Sequence, residues 1–324
     1  MADRLFRFGV VAAAAADAGQ WAGLARRAEE LGYSTFLTPD TLNTLPPLLA
    51  LSAAASATTS IGLGTFVLAV PYRRPEQVAW EVAGLGFLSG GRFELGLGVG
   101  RPDAREDSAR LGVPFGTHDQ RIRQLEEMIR QVRKWPPMTG TPGQATGGGP
   151  RPAIGRTDGR VTDGHATDAQ AAGGQAPEAH ATRSQATDGQ VAGSGPRVLV
   201  AASGARTLGF AARNADTVAI ALPASTPEDG LAEPVKLLRQ AGDDFDRLEI
   251  SAGLHAVGDD IPPWLARQLG PDVPDDSVAV LRGTPRQMAD RLLRRRDLHE
   301  VSYITVNAMY ADRLAPVVEL LAGT

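Results

Sequence analysis

The sequence predicts an α/β protein, a single (β/α)8 TIM barrel interrupted by one low-complexity insertion, and three observations carry that prediction. Strand-like and helix-like segments alternate through both ordered halves of the chain. Eight strand-like segments can be counted, the number that closes such a barrel. The length of 324 residues suits one barrel of about 250 residues plus an insertion. Apolar runs separated by helical stretches of about 10–15 residues imply right-handed crossovers and parallel neighbours.

The first strand covers 6–12, and a helix over 17–31 follows with Trp21, Leu24, Ala25, Ala28 and Leu31 at helical spacing. Asp17 with Gln20 reads as a capping box, and Gly32 stands where a glycine ends a helix. A strand over 34–37, a helix from Pro46-Pro47 to Ala57, a strand over 61–69 and a helix over 75–88 come next. Ser89-Gly90-Gly91 stops that helix before a strand over 92–99. Residues 118–135 form a helix with Ile122, Leu125, Met128, Ile129 and Val132 on one side. From about 136 to 196 the composition turns to Gly, Ala, Thr, Gln, Asp and Pro, with too few apolar residues to offset the entropy of ordering. This stretch reads as a flexible insertion, and His165 and His180 within it as solvated residues.

Alternation then resumes, with strands over 197–202, 216–221 and 248–256, helices over 205–213 and 228–241, and a helical segment over 262–269. Thr284-Pro285-Arg286-Gln287 is a second capping box with proline at the first helical position, opening a helix to 296. A strand over 301–306 and a helix ending at 321 complete the count.

Composition removes several functions. Cysteine is absent, which excludes disulfides, cysteine-ligated zinc, iron–sulfur clusters and thiolate nucleophiles, so redox chemistry must come from a bound cofactor. No metal-ligand set is visible. Net charge is −4 with pI near 5.8 and no basic stripe, leaving no electrostatic footprint for nucleic acid. No window approaches the roughly 18 apolar residues of a membrane span. Met1 to Arg7 runs directly into a strand without a signal-peptide apolar region, so the expected location is cytoplasmic.

In such barrels the chemistry sits at the C-terminal ends of the strands. Four junctions there stand out: Thr38-Pro39-Asp40-Thr41, Phe66-Val67-Leu68-Ala69, Gly96-Leu97-Gly98-Val99-Gly100-Arg101 and Ala201-Ala202-Ser203-Gly204-Ala205-Arg206. The last runs from a strand through Ser-Gly into a helix, leaving free N–H groups that with Arg206 make either a phosphate seat or an ordinary capped turn. Gly96, Gly98 and Gly100 give one strand face without side chains, suited either to a flat ring system or to tight barrel packing. Asp40 reads as a cofactor ligand or as a turn aspartate, and His255 and His118 as proton donors or structural residues. A dinucleotide fingerprint starting at Gly96 fails, because Arg101 stands where its last glycine belongs, and no P-loop motif occurs.

These junctions, in this order, resemble the luciferase-like monooxygenase superfamily, in particular its branch that uses the deazaflavin coenzyme F-420. The resemblance covers residues 5–135 and 197–321. It rests on Ala28-Glu29-Glu30-Leu31-Gly32-Tyr33, Ile61-Gly62-Leu63-Gly64-Thr65, the run from Leu88 to Gly98, Ala211-Ala212-Arg213-Asn214-Ala215-Asp216 and Gly283-Thr284-Pro285. It implies a non-prolyl cis peptide at Phe66–Val67 backing the ring and contact of Asp40 with the ring or its hydroxyl chain. It further implies that Ala69, Val99 and Gly100 line the ring, and that Ser203, Gly204, Ala205 and Arg206 seat the phosphate. A homodimer acting on a small molecule or peptide is implied as well. Sugar-phosphate dehydrogenases of this branch place a histidine after the aspartate and a glutamate after the glycines, where this chain has Thr41 and Arg101. Hydride transfer to a C=C, C=N or dehydroamino-acid bond is therefore expected, with solvent or Tyr72 as proton donor. Asp40, Tyr72, Arg101 and His255 are the catalytic candidates. An FMN-dependent monooxygenase and a non-catalytic cofactor-binding subunit are the alternatives.

Overall fold

The computed structural model describes residues 4–101, 103–138, 195–242 and 244–324. The insertion read over 136–196 falls, from 139 to 194, outside the described residues, and His165 and His180 with it. The first half contains β1 (Arg7–Val11), α1 (Ala18–Glu30), β2 (Thr35–Thr38), α2 (Pro47–Ala57), β3 (Gly62–Thr65), β4 (Leu68–Ala69), α3 (Pro75–Leu88), β5 (Phe93–Gly98), α4 (Ala104–Arg110) and α5 (His118–Lys134). The second contains β6 (Val198–Ala202), α6 (Ala205–Asn214), β7 (Thr217–Ile220), α7 (Ala232–Ala241), β8 (Glu249–Leu254), β9 (Ala256–Val257), α8 (Pro263–Leu269), β10 (Val280–Leu281), α9 (Pro285–His299), β11 (Val301–Asn307) and α10 (Ala311–Leu321).

Every neighbour in the main sheet is parallel, and the sheet closes. Its order runs β1, β2, β3 with β4, β5, β6, β7, β8 and β11, which returns to β1. Counting β3 and β4 as one wall gives the eight walls of a TIM barrel, as the alternation predicts. β9 and β10 form a separate parallel pair at the end of β8.

The third wall differs from the continuous strand expected over 61–69. Gly64 pairs with Glu94 and Leu68 with Leu97, so four residues advance here against three on β5. The extra residue is a bulge, and the Phe66–Val67 peptide inside it is cis. The Thr65 hydroxyl bridges the interrupted ladder, donating to Gly96 O at 2.7 Å and accepting from Gly96 N at 2.9 Å. Of the two readings of Gly96 and Gly98, a flat ring or tight barrel packing, the structure bears out the packing. A Cβ on Gly96 would collide with the Thr65 carbonyl, and one on Gly98 would lie 2.7 Å from Val67 Cγ2. The bare face is filled by its own barrel.

Other expectations shift at element ends. Asp17 Oδ1 caps α1 by accepting from Gln20 N at 2.8 Å, but Gln20 Oε1 accepts from Ala16 N rather than completing the box at Asp17. The second capping box is complete at Thr284 and Gln287. The strand over 248–256 breaks at His255, and the helix over 228–241 opens with a 3-10 turn, Glu228–Leu231. α4 was not anticipated: in seven residues only Ala104 and Ser108 are buried, too few to show a period.

The lower end of the barrel, where the strands begin, is filled by charge. Arg7 donates to Glu94 at 3.0 Å and Glu249 at 2.7 Å, with its guanidinium carbon 4.5 Å from the Tyr303 ring centroid. The Tyr303 hydroxyl meets Glu94 Oε1 at 3.1 Å and Thr35 Oγ1 at 2.5 Å, and Thr217 Oγ1 donates to Glu249 at 2.8 Å. One step higher, Leu37, Leu199 and Ala219 pack with the Tyr303 ring, and Val11, Phe66, Val67 and Ala201 lie half-buried on top of them. Outside the barrel, α2 and α3 leave Leu49, Trp80, Phe87 and Leu88 exposed.

Candidate functional site at the upper barrel rim

The upper rim is assembled from the ends of β2, β4, β5, β6 and β8. Val11, Phe66, Val67 and Ala201 are half-buried on one inner cluster and present an apolar floor, while Val99 packs on the main core and Ala69 is buried with Tyr72, Ala104 and Phe115. Gly100 adopts φ +82, and behind it stand Phe115, Pro71 and Ala104, which a Cβ would meet at 3.2 to 3.5 Å. A side chain would be strained there in both conformation and space.

Asp40 is not a free carboxylate. Its Oδ2 accepts from Ala69 N at 3.0 Å, Arg73 Nη2 donates to its Oδ1 at 3.0 Å, and Arg73 Nη1 also meets Oδ2. Its side chain is only 5% exposed. The fork of a guanidinium on a carboxylate is among the firmest ion pairs available to side chains, and it ties the β2 end to the turn after β4.

Tyr72 lies in the same turn, buried against Ala69, Ala104 and Phe115. Its hydroxyl is 3.2 Å from Asp107 Oδ2, which also accepts from Leu42 N at 3.2 Å. Burial first, and the adjacent Asp107 carboxylate second, push the phenol above its ordinary pKa, so it stays protonated at neutral pH. Arg73 and Asp107 were missed by the sequence reading. Arg73 carries no motif, and Asp107 sits on the unanticipated α4.

The other candidates are scattered. Arg101 is exposed and pairs with Asp103 at 3.2 Å on the surface. His255 is exposed just past the end of β8, diametrically across the barrel from the β3–β4 wall, and desolvation by its surroundings lowers its pKa. Its neutral form therefore prevails near pH 7. His118 opens α5, with Nε2 3.5 Å from Thr207 Oγ1.

Ser203, Gly204, Ala205 and Arg206 are all exposed at the start of α6. Gly204 is the N-cap and supplies no side-chain cap, so the first-turn N–H groups face outward, and a Cβ built on Gly204 meets nothing within 4 Å. Open space, bare amides and the helix dipole fit a phosphate. Arg206 is held by Asp119 of α5. Apolar floor and bare amides on one rim thus fit a phosphate-bearing planar cofactor. Among the described residues no cluster of His, Asp or Glu fits a metal ion, and no helix is long and apolar enough to cross a membrane.

Comparison with known proteins agrees with this architecture. The profile described as luciferase-like monooxygenase matches residues 5–269. An uncharacterized protein of Mycobacterium tuberculosis is 30% identical over 131 residues, 33% of this chain and 45% of that protein. The 4-hydroxyprotoasukamycin monooxygenase of Streptomyces nodosus subsp. asukaensis is 36% identical over 94 residues, 29% of this chain and 25% of that protein. The chain thus spans less than half the length of these relatives. Among solved structures, riboflavin lyase (RcaE) with modified FMN and riboflavin superposes with a TM-score of 0.68 at 17% identity, covering 99% of this chain and 92% of the other. The coenzyme F-420-dependent tetrahydromethanopterin reductase of Methanopyrus kandleri gives 0.65 at 15% identity, covering 98% of each. At these identities the structural likeness speaks for the fold.

Proposed function

The chain belongs to the luciferase-like monooxygenase family of oxidoreductases, and from that premise we propose that it transfers a hydride from a reduced deazaflavin of the coenzyme F-420 type to a C=C, C=N or dehydroamino-acid bond of a small molecule or peptide. The observation that carries this reading is the pairing on the β2–β4 side of the rim. Asp40 is committed to Arg73 and Ala69 N, whereas Tyr72 is buried and protonated. A proton donor beside an occupied carboxylate suits reduction, in which the atom next to the hydride acceptor takes up a proton, better than oxidation, which needs a free base there.

The deazaflavin supplies the hydride when bound. In this reading Phe66, Val67, Ala69, Val99 and Gly100 line its ring and exclude water, Asp40 orients it through Arg73 and the Ala69 amide, and Ser203 to Arg206 hold its phosphate. Tyr72 gives the proton from its hydroxyl, with Asp107 fixing the hydroxyl's direction. Arg101 and His255 remain on the rim as substrate contacts.

The test is a titration of the purified chain with the reduced deazaflavin and with reduced FMN, followed by turnover on a panel of unsaturated compounds. Tight binding of the reduced deazaflavin, with turnover that does not depend on oxygen and restores the visible absorbance of the oxidised cofactor, is the expected result. With the active pair in hand, Tyr72→Phe lowers kcat about a hundredfold and leaves the KM for the cofactor unchanged. An unchanged kcat removes Tyr72 from the reaction.

A second reading, an FMN-dependent monooxygenase, is favoured by the monooxygenase relative from Streptomyces. Oxygen-dependent turnover with reduced FMN and no affinity for the deazaflavin selects it. The apolar outer faces of α2 and α3 suit the homodimer of either reading, which sedimentation of the purified chain checks.

A further inference from the structure

The rim between β5 and α6 carries positive charge that its neighbours leave uncompensated. Arg105 of α4 and Arg121 of α5 both pack on Phe115, their guanidinium carbons 5.1 and 4.1 Å from the ring centroid. Carboxylates are close in sequence, yet none pairs with these two arginines: Glu106 is exposed and makes no ion pair within 4.0 Å to a described residue, and the others are engaged elsewhere. Asp107 serves Tyr72 and Leu42 N, Asp103 pairs with Arg101, and Asp119 pairs with Arg206. Among the described residues neither Arg105 nor Arg121 has an acidic partner within 4.0 Å.

Arg121 is also held in place. Its Nε donates to Val99 O at 2.6 Å and its Nη1 to Gly116 O at 2.9 Å. Two backbone carbonyls therefore fix the plane of a guanidinium against the end of β5, with Nη2 left over. Arg105 makes no hydrogen bond to any described residue and is exposed. Desolvation, and then the charge of Arg105, lower the Arg121 pKa from its ordinary value, although the group stays fully charged at neutral pH. Holding two like charges on one ring is unfavourable unless an anion offsets them.

The pair is joined to the α6 terminus through the first turn of α5. His118 reaches Thr207, Asp119 reaches Arg206, and Arg121 follows on the same helix. The rim thus offers two successive anion contacts: bare amides at α6 and the guanidinium pair at Phe115.

We infer that Arg105 and Arg121 form a second anion subsite, which takes a carboxylate or phosphate that the bound cofactor carries beyond its first phosphate. The inference rests on the reading of the rim as a cofactor site. It also separates the two cofactors: FMN ends at one phosphate, whereas a deazaflavin of the F-420 type continues from its phosphate into a carboxylate-bearing tail. Planar guanidiniums backed by an aromatic face suit such groups, since the ring stacks on the cation while the N–H edge stays free.

The test compares the tailed deazaflavin with the same molecule trimmed to its phosphate, by fluorescence titration of the full chain. Wild type is expected to bind the tailed form about tenfold tighter, with the difference shrinking as salt rises. Arg105→Gln, at an exposed position that spares the fold, erases that difference and leaves the trimmed form's affinity unchanged. Arg121→Gln does the same, with thermal denaturation checking that loss of the Val99 contact has not unfolded it. Equal affinity of wild type for the two forms overturns the subsite, as does an Arg105→Gln variant that keeps the difference. If neither form binds, the cofactor reading fails on its own, and tripolyphosphate decides the subsite. Calorimetric affinity for tripolyphosphate that falls about tenfold in both variants upholds it, and unchanged affinity overturns it.

Discussion

Gly96→Ala is expected to leave little or no folded protein. A Cβ at this position points into the carbonyl of Thr65, a backbone atom held by the third wall of the barrel. A flexible side-chain tip could move aside, but this oxygen cannot move without shifting β3 or β5. The cost is about 4 kcal/mol or more, enough to consume most of the stability of an ordinary domain. Gly23→Ala is the matched control. It lies inside α1 with no atom near the new methyl, and should gain about 0.5–1 kcal/mol from helix propensity alone. Urea denaturation of the two variants beside wild type reads both signs. Comparable stability of Gly96→Ala and wild type would mean that the third and fourth walls do not meet as described.

The second large effect is expected at Glu228. Its carboxylate accepts from Arg295 Nε at 2.9 Å, from Arg295 Nη2 at 2.6 Å and from Arg291 Nε at 2.7 Å, and the Arg295 side chain is 0% exposed. Arg295 Nη1 is buried without a partner among the described residues. Glu228→Ala would strand the Arg295 charge in the interior, at a cost of about 3–5 kcal/mol. Glu228→Leu combined with Arg295→Met removes both charges and should recover most of that loss, which a thermal melt of the single and double variants checks. A double variant no better than the single would show that packing, not charge, dominates here.

The same cluster gives the fold a pH dependence. Burial alone would raise the Glu228 pKa, but hydrogen bonds and charge from Arg295 and Arg291 outweigh it, and the net shift is downward from 4.5. A carboxyl with a depressed folded pKa contributes stability that is complete above its unfolded value. That contribution is lost as pH falls from about 4.5 through the folded pKa. Glu29 behaves alike, held down to about 2. Burial works against that shift, and the amides of Ser60, Ile61 and Thr59, with the Ser60 hydroxyl, overcome it.

The segments by which the sequence resembles its family lie mostly at the lower end of the barrel. Glu29 clamps the loop before β3, accepting from Ser60 N at 2.6 Å, Ile61 N at 2.9 Å and Thr59 N at 3.0 Å. Arg92 donates to Ser89 O and Ile61 O at 2.8 Å and to Ala55 O at 3.0 Å, and Asp216 accepts from Val198 N at 2.8 Å. These residues hold the scaffold, and their short, repeated spacing makes the fold legible before any chemistry is.

The rim was harder to read for a physical reason. Asp40 acquires its character from Arg73, 33 residues later, and Tyr72 from Asp107, 35 residues later, and only the pairing of neighbouring walls brings each pair together. Junction position alone placed Asp40, Phe66, Val67 and the Ser203 to Arg206 turn on the rim. It could not report that Asp40 is already occupied. Gly96 and Gly98 left two readings open, because a strand without side chains looks the same whether a ligand or its neighbour's bulge fills the space. Elements of two to seven residues, such as β4, β10 and α4, escape periodicity altogether.

With Arg7, Glu94, Glu249 and Tyr303 corking its base, the barrel is a cup rather than a tunnel. If cofactor and substrate share its one doorway, as the proposed function requires, the one seated deeper has to wait for the other to leave. The proposed function then implies a compulsory order of entry and exit, which product-inhibition kinetics would read.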